Sequence, residues 1–193
     1  MDLLANAAVS HAVWPVDVDE TPLPGEQPEA LVARLSQAKV AAAIPKCPPG
    51  SPILAADTIV AVDNMLLGKA QHAGAARQML ELLSGKTHLV LTGYCLRWFE
   101  PSGEERQKVA VVTTQVCVRP LTDDEIHGYL ACEEWRGKAG SYAIQGRFST
   151  FVQRISGSYE NVVGLPLCAV VCDLKQARIL PADWPKFEAR RPL

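Results

Sequence analysis

The sequence predicts an α/β fold in which helices flank a mixed central sheet, and three observations carry that expectation. Strong helix formers fill Glu29 to Ile44, and a nearly continuous apolar, β-branched run follows at Ile53 to Val62. Beyond these, helical and strand-like patterns keep alternating along the chain rather than segregating into blocks.

Each element has a local reason. Ala30, Leu31, Ala33, Leu35, Ala38 and Ala41 to Ala43 favour the first helix, and Pro-Lys-Cys-Pro-Pro-Gly-Ser-Pro at residues 45–52 ends it. Ile53 to Val62 reads as a strand buried on both faces. Ala73 to Leu83 reads as a second helix, stopped by Ser84-Gly85. Thr87 to Trp98 and Val109 to Val118, rich in Val, Thr and aromatics, form a hairpin across the polar turn Glu100 to Glu105. Thr122-Asp123-Asp124-Glu125 is a capping box that opens a helix through about Ala131. Ser149 to Ile155 is expected as a short strand, and Gly164-Leu165-Pro166 leads into a final helix. Pro181 to Leu193, with Trp184 and Phe187, reads as a tail.

Composition narrows the classes. The 193 residues are 48% hydrophobic and 21% charged, with a formal net charge of −2. One domain over residues 1–193 fits that length, and so apolar a chain is not disordered. Scattered Lys and Arg argue against nucleic acid. Uncharged stretches such as Val162 to Cys172 are too short for a bilayer, and Met1-Asp2-Leu3-Leu4 lacks a basic leader segment, so a cytoplasmic protein without membrane partners is expected. Six cysteines without a C-x-x-C pair read as free, buried thiols, with Cys168 and Cys172 on one face of a buried helix.

The chemistry-bearing residues start with Asp57, an acid inside Leu54-Ala55-Ala56-Asp57-Thr58-Ile59-Val60. A buried, unpaired carboxylate costs several kcal/mol, so Asp57 must be paired, bind a metal or face a cleft. Asp17, Asp19 and Glu20 close an extended segment and read either as a solvated turn or as a metal-binding corner. Lys39 and Lys69 read as surface lysines, unless they converge with the carboxylates to hold phosphates beside a cation. Gly137 to Gly146 holds three glycines in ten residues, and Gln145 in it offers a carboxamide that can read a base edge. Neither a Rossmann fingerprint nor a P-loop nor a Gly-x-Ser-x-Gly elbow occurs.

Taken in order, Asp17-Val18-Asp19-Glu20-Thr21, Ala38-Lys39, Ala55-Ala56-Asp57-Thr58-Ile59-Val60, Gly68-Lys69, Leu83-Ser84-Gly85-Lys86-Thr87-His88, Lys138 to Gly146 and Ile155 to Leu167 closely resemble the Maf proteins, nucleoside triphosphate pyrophosphatases. The likeness spans roughly residues 3 to 172. It implies a two-lobed architecture with a cleft, related to the inosine triphosphatases. It also implies hydrolysis between the α and β phosphates with Mg or Mn, and a possible homodimer. Asp57 then matches the general base and a metal ligand, and Glu20 an acid of the metal site. Lys39 and Lys69 match phosphate-binding lysines, and Thr58 and Gln145 match positions that separate the family's branches. Ile144-Gln145-Gly146 is similar to the dTTP/UTP-preferring branch, whereas the 7-methyl-GTP branch usually has Glu at the Gln145 position. Ala70 stands where the family often has Pro.

One departure bears on activity. The resemblance implies a first strand running into a Ser-x-Ser-Pro-Arg-Arg loop that grips the triphosphate, and no Ser-Pro-Arg-Arg occurs in the 193 residues. Met1-Asp2-Leu3-Leu4-Ala5 reads as starting inside the helix after that loop. The expectation is a start codon placed too late; the alternative is a true loss of strand and loop, which would remove several donors to the developing anion. The main functional expectation is therefore a pyrophosphatase for dTTP, UTP or related pyrimidine nucleotides. The competing one is a weak or inactive nucleotide-binding homologue in cell-division control.

Overall fold

The computed structural model describes residues 3–181, 183 and 184. Five strands make one sheet: β1 (Ile53–Val62), β2 (Met65–Leu67), β3 (Thr87–Phe99), β4 (Glu105–Val118) and β5 (Val152–Ser156), in the order β2-β1-β3-β4-β5. The helices are α1 (Leu3–Asn6), α2 (Pro28–Ala43), α3 (Ala73–Leu83), α4 (Asp123–Ala131), α5 (Tyr159–Val163) and α6 (Leu167–Gln176). The α/β class stands, and the expected helices and hairpin form within a residue or a few of their predicted limits.

The pairing is antiparallel at all four interfaces among the described residues, rather than mixed. Tight reversals dictate this for β1–β2 and β3–β4, because neighbours joined by short turns must run in opposite directions. Val62 pairs with Met65 across Asp63-Asn64, whose φ values of 48° and 63° are both positive. That is the two-residue turn whose twist matches a hairpin, and Asp and Asn tolerate it best after glycine. β2 reaches only Val60 to Val62, so among the described residues β1 from Ile53 to Ile59 has a neighbour on one side alone. The same stretch is half-buried from Leu54 to Thr58, not enclosed on both faces as its apolar run suggested.

Alternation along the strands sorts the core. Ile59 and Leu91 face α2 and meet Leu31, Val32 and Leu35. Val60, Val90 and Val116 face the other way, onto Leu80 and Leu83 of α3, Ile126 of α4, and Trp135 and Phe148. Towards the far end of that second face, Tyr94 and Leu96 pack on Val170 and Leu174 of α6. The buried Asp173 ties α6 down: Tyr94 Oη donates to Oδ2 at 2.7 Å and Lys108 Nζ to Oδ1 at 2.6 Å.

Three expectations are corrected in detail. The segment predicted as strand from Ser149 begins as a 3-10 turn, Arg147–Phe151, and only then becomes β5. Cys168 and Cys172 do share one face of α6, but that face is exposed, because Val170, Asp173 and Leu174 take the inward positions. Of the six cysteines Cys95 alone is fully buried. Trp184 packs against the cluster around α6, while Phe187 lies outside the described residues. No described helix is long and apolar enough to cross a membrane.

Candidate active site

Four pieces of chain converge on the open stretch of β1. Helix α2 lies across β1 and β3 and carries Lys39 near its C-terminal end. The Lys39 ammonium donates to Asp57 on β1 and stands 3.0 Å from Glu20 Oε1. Glu20 comes from the irregular segment before α2, and its other oxygen lies 2.8 Å from Lys69 Nζ. The four charges thus alternate in one chain of contacts, Asp57 to Lys39 to Glu20 to Lys69.

Burial grades along that chain. The Asp57 and Lys39 side chains are 10% and 17% exposed, whereas Lys69 and Glu20 are 48% and 40% exposed. Burial pulls the Lys39 ammonium down, yet its bonds to Asp57 and Glu20 outweigh this, and its pKa stands above the ordinary lysine value. Burial pushes Glu20 up, but Lys69 and Lys39 together hold it below the usual carboxylate range. Both groups are therefore charged at neutral pH.

Beside this chain opens a cavity of about 270 Å³, lined in part by Lys39, Asp57, Thr58, Lys69, Lys138 and Gln145. Glu20 is not a wall residue; it reaches the site through its two lysines. Of the other acids in its segment, Asp19 instead accepts from the Thr21 backbone N–H at 2.9 Å, as a solvated turn does.

The loop 137–146 forms the facing wall, and its backbone bonds bring Gln145 to the same cavity as Lys69. Ala139 bridges to Lys69, and Gly140 N–H reaches Leu67 O at 3.2 Å and Gly68 O at 3.0 Å. Gly140 has φ +65°, and a Cβ there would meet Val60 Cγ2 at 2.9 Å, so glycine is required for this approach. Ala143 N–H donates to Tyr129 Oη at 3.0 Å, and Tyr142 Oη lies 2.8 Å from His88 Nε2 inside the core. Burial drives the His88 pKa down to about 4 and raises that of Tyr142 well above its ordinary value, so both are neutral pins.

Sequence reasoning singled out Asp57, Thr58, Lys39, Lys69, Gln145 and Glu20, and the fold brings all six to this place. It missed Lys138, a third cation on the wall, and the polar residues behind Thr58. Thr58 Oγ1 lies 2.8 Å from Thr92 Oγ1, and Thr92 Oγ1 donates to the Asn161 carbonyl at 3.1 Å. A threonine in the apolar run of β3, directly opposite Thr58 in the ladder, was the available signal.

Three lysines and two carboxylates around a cleft at a strand edge are a charge set suited to a polyphosphate ligand. The chain belongs to the Maf-like protein family, whose model matches residues 1–177. It is 49% identical over 173 residues to a dTTP/UTP pyrophosphatase of Rhizobium etli, covering 86% of this chain and 82% of that one. It is 47% identical over 171 residues to one of Rhodopseudomonas palustris, with 86% and 81% covered. The corresponding protein of Agrobacterium fabrum is 44% identical over 173 residues, with 86% and 82% covered.

Proposed function

We propose that this protein is a dTTP/UTP pyrophosphatase that breaks the α–β anhydride, releasing the nucleoside monophosphate and pyrophosphate. The observation that carries the reading is Asp57 on the cleft wall, paired with Lys39 and linked through Glu20 to Lys69. Its support is the similarity of 44–49% to proteins of that activity.

In this mechanism the triphosphate competes for the lysines. Lys69 and Lys138, at the open side, take phosphate oxygens first, and Lys39 turns from Asp57 towards the incoming charge. Asp57 is then an ionised carboxylate with a free lone pair beside the α-phosphorus, where it orients a water and accepts its proton as the P–O bond to the leaving pyrophosphate breaks. The transfer needs positioning and charge neutralisation more than covalent help. Asp57 and Glu20 are hard oxygen donors, so they suit Mg or Mn completed by water and phosphate oxygens. Such an ion would offset phosphate charge and lower the pKa of a bound water. Among the described residues no group of three or more His, Cys, Asp or Glu is placed to hold a metal ion.

The same reading takes residues 1–193 as one domain acting in the cytoplasm, with a homodimer as its expected assembly. Pyrophosphate release from dTTP and UTP in Mg²⁺ or Mn²⁺ tests the activity, with Asp57→Asn as the control. The variant should lose about 10² to 10⁴ in kcat while keeping the wild-type melting temperature within a few degrees. Undiminished turnover by Asp57→Asn would refute the base assignment. Binding without release by the wild type would favour the non-catalytic homologue instead.

A further inference from the structure

The Thr58 hydroxyl has one hydrogen, and its neighbours decide where that hydrogen points. Thr92 Oγ1 lies between Thr58 Oγ1 at 2.8 Å and the Asn161 carbonyl at 3.1 Å. A carbonyl only accepts, so the single Thr92 hydrogen goes to Asn161. Thr92 is fully buried and has only lone pairs left for Thr58, so Thr58 must donate to it. What Thr58 turns to the cavity is lone pairs.

The relay is held firmly. Asn161 is fully buried, and its Nδ2 donates to Val90 O at 3.0 Å and to Thr114 Oγ1 at 3.1 Å. Ser158 Oγ caps its backbone N–H at 3.1 Å, so the carbonyl beyond Thr92 cannot swing away. On the open side, a Cβ at Gly164 would stand 3.8 Å from Thr58 Oγ1, and glycine leaves that space to a ligand.

Position on the strand says which part of the ligand arrives there. Asp57 and Thr58 are consecutive and point to opposite faces of β1. Asp57 joins the lysine side; Thr58 points to the half of the cavity walled by Val90, Tyr142, Ile144, Val162 and Val163. An apolar, partly aromatic wall suits a planar base and not a phosphate. We infer that Thr92 is a positioning residue: by fixing Thr58 as an acceptor it selects the imide N3–H of uracil or thymine over the bare N3 lone pair of cytosine. This rests on the pyrimidine-nucleotide reading above and adds the group that discriminates. A site built around a hydrogen bond rejects the ligand that cannot complete it.

The test measures kcat/KM for UTP against CTP, and the affinity of UMP against CMP, in the wild type, Thr92→Val, Thr92→Ser and Thr58→Val. Valine at 92 removes the acceptor and frees Thr58 to donate, so the uracil preference should fall by about tenfold or more, through KM rather than kcat. Serine at 92 restores the relay and should keep the preference. Valine at 58 leaves Thr92 bonded to Asn161 and should lose the preference, which serves as the readout if Thr92→Val does not fold. A preference retained in either valine variant, or lost equally in Thr92→Ser, overturns the relay. If the wild type releases pyrophosphate from neither dTTP nor UTP, the pyrophosphatase reading fails, and the UMP and CMP affinities still judge the relay; equal wild-type affinities overturn it.

Discussion

Gly93 lies opposite Asp57 in the β1–β3 ladder, and a Cβ added to it would stand 2.4 Å from the backbone carbonyl of Val32. Residues paired in this way point to the same face, so the bare Cα of Gly93 is what lets α2 settle beside Asp57. Lys39, two turns further along α2, reaches the carboxylate because of that approach. Gly93→Ala must lift the helix backbone, since neither Val32 C nor O is the end of a flexible side chain. We expect a loss of about 3 kcal/mol, measured by urea unfolding, together with a loss of pyrophosphate release as Lys39 is displaced. A cost below about 1 kcal/mol would mean that α2 is free to move.

Glu20 predicts a different signature. It is split between two lysines and is 40% exposed, so its own ion pairs contribute little to stability. As a metal ligand it should matter for the ion and not for the fold. Glu20→Gln is expected to raise the Mg²⁺ concentration for half-maximal pyrophosphate release by about tenfold or more, with partial recovery at high Mg²⁺ and an unchanged melting temperature. An unshifted Mg²⁺ titration would remove Glu20 from the metal site.

Much of this was legible in the sequence, and the gaps have physical causes. The Thr122 capping box forms as written, with Thr122 Oγ1 accepting from Glu125 N–H and Glu125 bonding back to Thr122 N–H. Local hydrogen-bonding patterns such as this survive tertiary context. Asp57 was conspicuous because a carboxylate in an apolar strand demands a partner. The all-antiparallel pairing was hidden, since the apolar run of β1 reads alike in a buried parallel strand and in one beside a cleft. Cys168 and Cys172 misled because periodicity identifies a helix face without saying which face turns inward. Thr92 left one signal, a threonine in an apolar strand, but its links to Thr58 and Asn161 were unreadable because they run across 34 and 69 residues of separation.

Asp173 predicts a stability effect remote from the cleft. Its carboxylate is 6% exposed and satisfies both Tyr94 Oη and Lys108 Nζ. Asp173→Ala leaves the buried Tyr94 hydroxyl without its acceptor, at a cost of about 1 to 3 kcal/mol. Double substitution with Tyr94→Phe should recover part of that cost, because no orphaned donor then remains. Fully additive losses in denaturant unfolding would show that the pair is not coupled.

His88 predicts the pH dependence. Burial holds its pKa down to about 4, and its Nδ1 meets no hydrogen-bond partner among the described residues. The unfolded chain takes up a proton near pH 6.5, which the folded chain refuses until about pH 4. Between those values the unfolded state binds more protons, so stability falls as pH falls. The effect is absent above about pH 7 and complete below about pH 4, and it amounts to about 3 kcal/mol. Exposed carboxylates titrate over an overlapping range, so the comparison is with His88→Gln, which has no such group to protonate. The wild type should lose about 3 kcal/mol more than this variant between pH 7 and pH 4 in parallel denaturant titrations. Because His88 stays neutral in the fold over this interval, its bond to Tyr142 on the cavity wall should hold, and UMP binding should not weaken through this pair between pH 7 and pH 4. Parallel stability curves for the two proteins would show that His88 does not remain neutral in the fold.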